Sequence, residues 1–171
     1  MSRGLVDVYK RQIQMKLLLK QRFFSWFDSY DVYYEDGSVA FKVKGEPAWG
    51  HLLRIFDAPG SYLATVKEKI FTFMPQFEIF YGDEYVGNIH KELTFFKPKF
   101  YFDFNGWYVE GHFMEWDYEI YDGYNNLVAN INKEVINFTD TYSIDVVNPQ
   151  DALLVLAFVL AMDAEKCSRN D

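Results

Sequence analysis

Several lysines recur two residues apart, an arrangement that could hold an anion. Residues i and i+2 of an extended strand point to the same face, so such a pair offers two ammonium groups to one ligand. The exposed face of any strand often carries lysine as well, which protects sheet edges from aggregation. The weak candidates for contact with an anionic head group are Lys16, Lys20, Arg22, Lys67, Lys69, Lys97 and Lys99. Lys42 and Lys44 share the same spacing.

Metal binding and acid–base catalysis are poorly supported by the histidines and carboxylates. His51, His90 and His112 fall on different predicted hairpins, and only His90 has a same-face carboxylate, Glu92. A metal site needs several ligands gathered with matched geometry. Acidic groups such as Asp83 with Glu84, and Glu115 with Asp117 and Glu119, fall in turns or on mixed faces. We expect no metal and no cofactor.

A nucleophile is equally hard to assign. Ser25 and Ser143 have no neighbouring histidine or glycine-rich elbow, and Cys167 follows the last apolar segment. No glycine-rich phosphate loop is present. We therefore expect no catalytic residues and no enzyme activity.

Charge and composition exclude other functions. The 171 residues carry a formal net charge of −8, which opposes nucleic acid and predicts none as a partner. Aromatic stacking platforms need a basic groove, so we interpret the aromatics as core and barrel-closing residues; these are Phe71, Phe73, Phe95, Phe96 and Trp107. The single cysteine fits a reducing, cytoplasmic location.

A repeated pattern predicts the elements that position these side chains. Large residues recur at alternating positions after a leading residue, and the six copies begin at Trp26, Trp49, Phe73, Phe96, Met114 and Phe138. The intervals are 23, 24, 23, 18 and 24 residues, which suits one antiparallel hairpin each. With a first strand they predict about twelve strands: 16–23, 30–35, 38–45, 51–57, 62–70, 76–81, 85–92, 99–104, 107–114, 117–121, 127–136 and 140–146.

One helix is predicted after the last strand. Asn148 is a typical cap, Pro149 suits the first helical position, and the run from Ala152 to Met162 has no polar face. A helix that is apolar on every side must be enclosed or inserted in a membrane, and this run is too short to span one. A closed barrel of about twelve strands is wider than its own side chains can fill. We therefore predict that the helix fills the barrel.

The residues themselves resemble a known family. Five segments are similar to the LURF-one-related (LOR) family, bacterial type: the opening Met15-Lys-Leu-Leu-Leu-Lys-Gln-Arg-Phe-Phe-Ser-Trp26, Tyr33-Tyr-Glu-Asp-Gly37, Glu92-Leu-Thr-Phe-Phe-Lys-Pro-Lys99, Phe138-Thr-Asp-Thr-Tyr142 and Asn148-Pro-Gln-Asp-Ala152. The resemblance implies a mainly β, Tubby C-terminal-like fold: a closed antiparallel barrel of about twelve strands around a central hydrophobic C-terminal helix. Tubby domains bind phosphoinositides, and phospholipid scramblases are thought to share the fold.

The predicted organisation is a single domain at 15–163, preceded by an adapter-like, non-native or disordered extension at 1–14 and followed by a polar tail at 164–171. The resemblance favours a non-enzymatic binding module that associates with anionic phospholipid head groups or a protein partner at the membrane surface. The alternative is a carrier of a small apolar molecule in a cavity beside the helix. We expect a monomer that is cytoplasmic or peripheral at the membrane and does not span it.

Overall fold

The computed structural model describes residues 15–20, 29–93, 98–112, 115–136 and 139–170. They contain the twelve strands that the sequence predicts: β1 (Met15–Lys20), β2 (Ser29–Tyr34), β3 (Val39–Glu46), β4 (Leu52–Asp57), β5 (Tyr62–Glu68), β6 (Gln76–Tyr81), β7 (Glu84–Leu93), β8 (Pro98–Phe102), β9 (Tyr108–His112), β10 (Asp117–Tyr121), β11 (Leu127–Ile136) and β12 (Thr139–Val146). The extension at 1–14 lies outside these ranges and stays a prediction.

The strands close into one antiparallel barrel. Each strand pairs with the next in sequence, and β1 closes the ring by pairing with β12, where Leu17 lies opposite Ile144. Alternation explains which face turns inward: Leu17 and Leu19 on β1 are buried, and so are Tyr142 and Ile144 on β12. The predicted closed barrel is confirmed.

The chain then enters the barrel as a helix. A 3-10 turn at Pro149–Asp151 leads into α1 (Ala152–Asn170), and the Asn148 side chain accepts a hydrogen bond from the Gln150 backbone N–H at 3.2 Å. This confirms the predicted start. Residues 154–165 are all buried, so every side of α1 is covered by the barrel over these turns.

The helix is longer than the apolar run suggests. It continues beyond Met162 to Asn170, so positions 164–170, which the sequence predicts as a polar tail, are helical. Phe158 fixes its middle against the wall, with ring centroids 5.7 Å from Phe100, 5.6 Å from Phe102 and 5.6 Å from Tyr118. These packed rings hold α1 in place along the barrel.

The two ends of the barrel differ in chemistry. At the end where α1 begins, five hairpin turns each contain or adjoin an aspartate and carry no lysine, arginine or histidine: 35–38, 57–61, 82–84, 103–107 and 122–126. We call this the acidic end. The opposite end, here the loop end, carries loop 47–51, the longer loop 69–75 and the last turns of α1.

Hydrogen bonds keep the acidic end charged. The Ser38 hydroxyl and backbone N–H lower the pKa of Asp36. The Ser61 backbone N–H, 2.6 Å away, lowers the pKa of Asp57. Side-chain and backbone N–H groups of Asn126 lower the pKa of Asp122. Each of these turns therefore presents a carboxylate at neutral pH.

Candidate functional site

Three aromatic side chains stand in solvent at the loop end. Trp49 in loop 47–51 is 83% exposed, and Phe71 and Phe73 in loop 69–75 are 96% and 95% exposed. We call these three residues the aromatic tip. The interpretation of Phe71 and Phe73 as core and barrel-closing residues is wrong, because loop 69–75 places both rings in solvent. The same interpretation is correct for Trp107, which is buried; Phe95 and Phe96 lie outside the described residues.

The two loops of the tip are joined by one buried histidine. Both the backbone N–H and Nδ1 of His51 contact Oε2 of Glu68, at 3.0 and 2.5 Å, and the Glu68 N–H donates to the His51 carbonyl at 2.8 Å. Partial burial alone would raise the pKa of Glu68, but the hydrogen bonds from His51 outweigh burial and lower it. Glu68 is therefore a carboxylate that fastens one loop to the other.

Loop 69–75 has its own internal order. The Lys69 N–H donates to the Gln76 carbonyl at 2.9 Å, and the Thr72 hydroxyl donates to the Lys69 carbonyl at 3.2 Å. Phe71 has φ 61°, a left-handed conformation that bulky residues rarely adopt. A strained, hydrogen-bonded loop thus keeps two phenyl rings in solvent.

The loops also approach each other closely. Gly50 has φ 87°, and a Cβ at that position would lie 2.9 Å from Cγ2 of Ile70. Ile70 is itself 39% exposed, so it adds apolar surface beside the aromatic tip. The glycine permits this contact because a larger residue would push loop 69–75 away.

Two lysines flank the tip without a carboxylate partner. Lys44, near the end of β3, is exposed, and Lys69 begins the second loop. Neither forms an ion pair within the part of the chain that the structure describes. Lys67 lies close by on β5, but its Nζ is 3.6 Å from Oε2 of Glu78.

The other lysine candidates are distributed around the barrel. Lys16 lies at the acidic-end side of β1, with its Nζ 3.2 Å from Oε1 of Glu134. Lys20 lies at the other end of the same strand, 5.4 Å from the Tyr33 ring centroid. Lys99 on β8 pairs with Glu110. Arg22 and Lys97 lie outside the described residues.

The last turns of α1 bring charged groups into the barrel at the loop end. Asp163 is only 7% exposed, and desolvation raises its pKa to about 7, with Lys166 opposing part of that rise. Burial raises the pKa of Tyr118, and the charge of the nearby Asp163 raises the pKa of Tyr118 further. Lys91 of β7 reaches Glu165, Nζ to Oε1 3.6 Å. The sequence does not predict this buried charge cluster, because Glu165 and Lys166 belong to the stretch that it assigns to a polar tail.

The remaining sequence candidates lie apart. His90 contacts Glu92, with Nε2 3.0 Å from Oε1, as their same-face spacing suggests, and His112 is exposed on β9. Within the described ranges no three histidine, cysteine or acidic residues converge as metal ligands. A cavity of about 220 Å³ is lined by Lys20, Ser29, Tyr30, Asp31 and Tyr33.

Fold and interior together define a class: a closed antiparallel β-barrel filled by its own C-terminal helix. The chain belongs to the LURP-one-related (LOR) family, whose model matches residues 15–163. None of the helices in the described part of the chain is long and apolar enough to cross a membrane.

Relatives agree with this assignment. The chain is 28% identical over 150 residues to the uncharacterized protein YxjI of Bacillus subtilis (strain 168), covering 87% of this chain and 92% of that protein. It is also similar to the X-ray structure of a protein from Arabidopsis thaliana, with a TM-score of 0.59 and 15% identity over 87% of this chain and 91% of the other. At that identity the likeness supports the fold alone.

Proposed function

We propose that this protein is a non-enzymatic binding module that docks on anionic phospholipid head groups with the loop end of its barrel. The observation that carries the proposal is the distribution of lysines between the two ends of the barrel. The turns of the acidic end carry no lysine, whereas Lys44 and Lys69 stand at the loop end without carboxylate partners in the described structure. The loop end also exposes Glu92, Glu115 and Asp117.

Lysines of this kind at one end orient a protein that is repelled as a whole. With a net charge of −8, the chain experiences repulsion from an anionic surface at long range. Screening limits this repulsion to about 8–10 Å at physiological salt, so the groups nearest the surface decide the outcome. Lysines near an anionic membrane contribute about 1 kcal/mol each. The loop end is thus the favoured end for contact.

The filled interior also favours a module that binds partners at its surface over a carrier that holds a small molecule inside the barrel. The side chains of α1 from Val155 to Ala161 are 0% exposed, so the space at the barrel axis is taken by the chain itself. The resemblance to proteins associated with phospholipids is consistent with surface binding, although a shared fold does not determine function.

Replacing Lys44 and Lys69, which have no carboxylate partner among the described residues, with glutamine should weaken binding to anionic vesicles. At about 1 kcal/mol for each lysine, Lys44→Gln with Lys69→Gln is expected to reduce the partition coefficient about 30-fold. The measurement is flotation with phosphatidylcholine vesicles containing phosphatidylserine, over a range of salt concentrations. Binding of the unmodified protein should fall as salt rises.

A matched control separates local contact from net charge. Pro59→Glu with Tyr124→Glu changes the net charge by the same two units at exposed positions of the acidic end. This control should bind nearly as well as the unmodified protein. Equal losses in the two double variants would contradict docking by the loop end, and no flotation of the unmodified protein would refute the proposed function.

A further inference from the structure

We infer that Trp49, Phe71 and Phe73 insert into the interfacial region of a phospholipid bilayer and anchor the protein there. This inference rests on the proposed function and specifies its binding mode. Head-group attraction by lysines alone leaves the protein outside the bilayer, whereas insertion of aromatic side chains adds a hydrophobic contribution that salt does not screen.

The exposure of the tip is the first argument. Single exposed apolar residues are common, but here three aromatic rings that are 83–96% exposed occupy two touching loops, with Ile70 beside them. Transfer of such side chains out of water is favourable, and nothing within the described residues covers them. An exposed group of aromatic side chains of this kind is typical of an interaction site.

The residue types favour a bilayer as the partner. Tryptophan is enriched at the level of the head groups, phenylalanine enters the acyl boundary, and lysine extends an apolar stem with its ammonium group near phosphates. Trp49, the two phenylalanines and the flanking Lys44 and Lys69 supply these components at one end of the molecule. Charge complementarity therefore points to an anionic bilayer.

Preorganisation is the second argument. The His51–Glu68 contacts join the two loops, and the hydrogen bonds of Lys69 and Thr72 order the second one before any partner arrives. A tip that is already ordered loses little conformational entropy when it inserts. The left-handed Phe71 indicates that the fold maintains a conformation that is unfavourable for that residue by itself.

A second copy of this chain fits the tip less well. A two-fold dimer formed through the tip would bring Lys44 and Lys69 of one protomer toward the same residues of the other. These lysines have no carboxylate partner in the described structure, so their repulsion would oppose the contact. An anionic bilayer neutralises them instead.

The test removes the phenylalanines and keeps the tryptophan as a reporter. Phe71→Ser with Phe73→Ser is expected to reduce partitioning into phosphatidylcholine–phosphatidylserine vesicles about 100-fold, since a tenfold loss for each ring corresponds to about 1.4 kcal/mol. Tyr124→Ser, which removes an 89% exposed ring at the acidic end, is the matched control and should leave partitioning unchanged. Thermal unfolding should be similar in all three proteins.

Insertion is measured directly through Trp49. Brominated acyl chains should quench the fluorescence of the bound protein, and the Trp49→Phe variant, which retains the other tryptophans, should lose most of that quenching. Both results together support insertion.

The outcomes distinguish the inference from the proposed function. Salt-sensitive binding that survives the loss of both phenylalanines, without quenching of Trp49, would overturn insertion and leave head-group binding intact. No binding of the unmodified protein to any vesicle would overturn both. A concentration-dependent dimer that Phe71→Ser with Phe73→Ser abolishes would show that a second copy covers the tip, and would overturn insertion.

Discussion

Replacing Leu156 with aspartate unfolds the domain. Leu156 is 0% exposed at the centre of α1, and its helical neighbours from Val155 to Ala161 are equally buried. Loss of the leucine side chain alone costs about 2–5 kcal/mol, and an unpaired carboxylate in the same place adds several more. The sum is comparable to the whole stability of an ordinary domain, about 5–15 kcal/mol.

Circular dichroism during heating measures this effect. The Leu156→Asp protein should lack a cooperative transition at neutral pH, whereas Leu93→Asp, the same change at a 71% exposed position, should melt close to the unmodified protein. Leu156→Met keeps the volume and should cost less than about 1.5 kcal/mol. A Leu156→Asp protein that melts within a few degrees of the unmodified one would refute enclosure of the helix.

The second large effect is a loss of stability as the pH rises from about 4 to 7, caused by Asp163. Its folded pKa of about 7 lies above its ordinary value of 3.8, so the folded state holds a proton that the unfolded chain releases between those pH values. Stability therefore falls as pH increases toward 7 and then levels off. Between pH 5 and pH 8 the expected decrease is about 3 kcal/mol, at about 1.4 kcal/mol per pH unit.

Asparagine at this position should remove that dependence. Asp163→Asn is neutral at every pH, so its stability relative to the unmodified protein should rise by about 3 kcal/mol between pH 5 and pH 8. Urea unfolding at the two pH values measures the difference. Asp117→Asn, a change at an exposed carboxylate, is the control for removal of one charge. The assignment of the pH dependence to Asp163 is wrong if the difference in stability between the unmodified protein and Asp163→Asn is the same at both pH values.

Much of the fold could be predicted because its signals are local. The alternation in segments such as Tyr142-Ser-Ile144 reflects the period of a strand, and Asn148 with Pro149 reflects the unpaired N–H groups of a helix start. The apolar run after Ala152 predicts enclosure because no side of it can face water. Each signal depends only on residues that are close together in the chain, so it can be recognised without knowing which strands pair.

The aromatic tip could not be predicted in this way. Phe71 and Phe73 lie between the predicted strands 62–70 and 76–81, where large apolar side chains suggest closure of the barrel. Only the path of loop 69–75, with its left-handed turn at Phe71, places them in solvent. A loop longer than the tight turns of the acidic end was the signal available. The contact that joins the loops, His51 with Glu68, spans 17 positions and depends on the pairing of β4 with β5.

The sequence by itself determined the closed barrel, its strand count and the buried helix, since hydrophobic periodicity decides which faces must leave water. Only the tertiary structure decided which end carries the exposed aromatic rings, which lysines are paired, and where the charges of α1 lie. Lys16 reaches Glu134 across 118 positions, whereas Lys69 finds no carboxylate in the described structure. The pairing and burial of such charges depend on which residues the closed barrel brings together in space. A local sequence pattern contains no information about these distant neighbours.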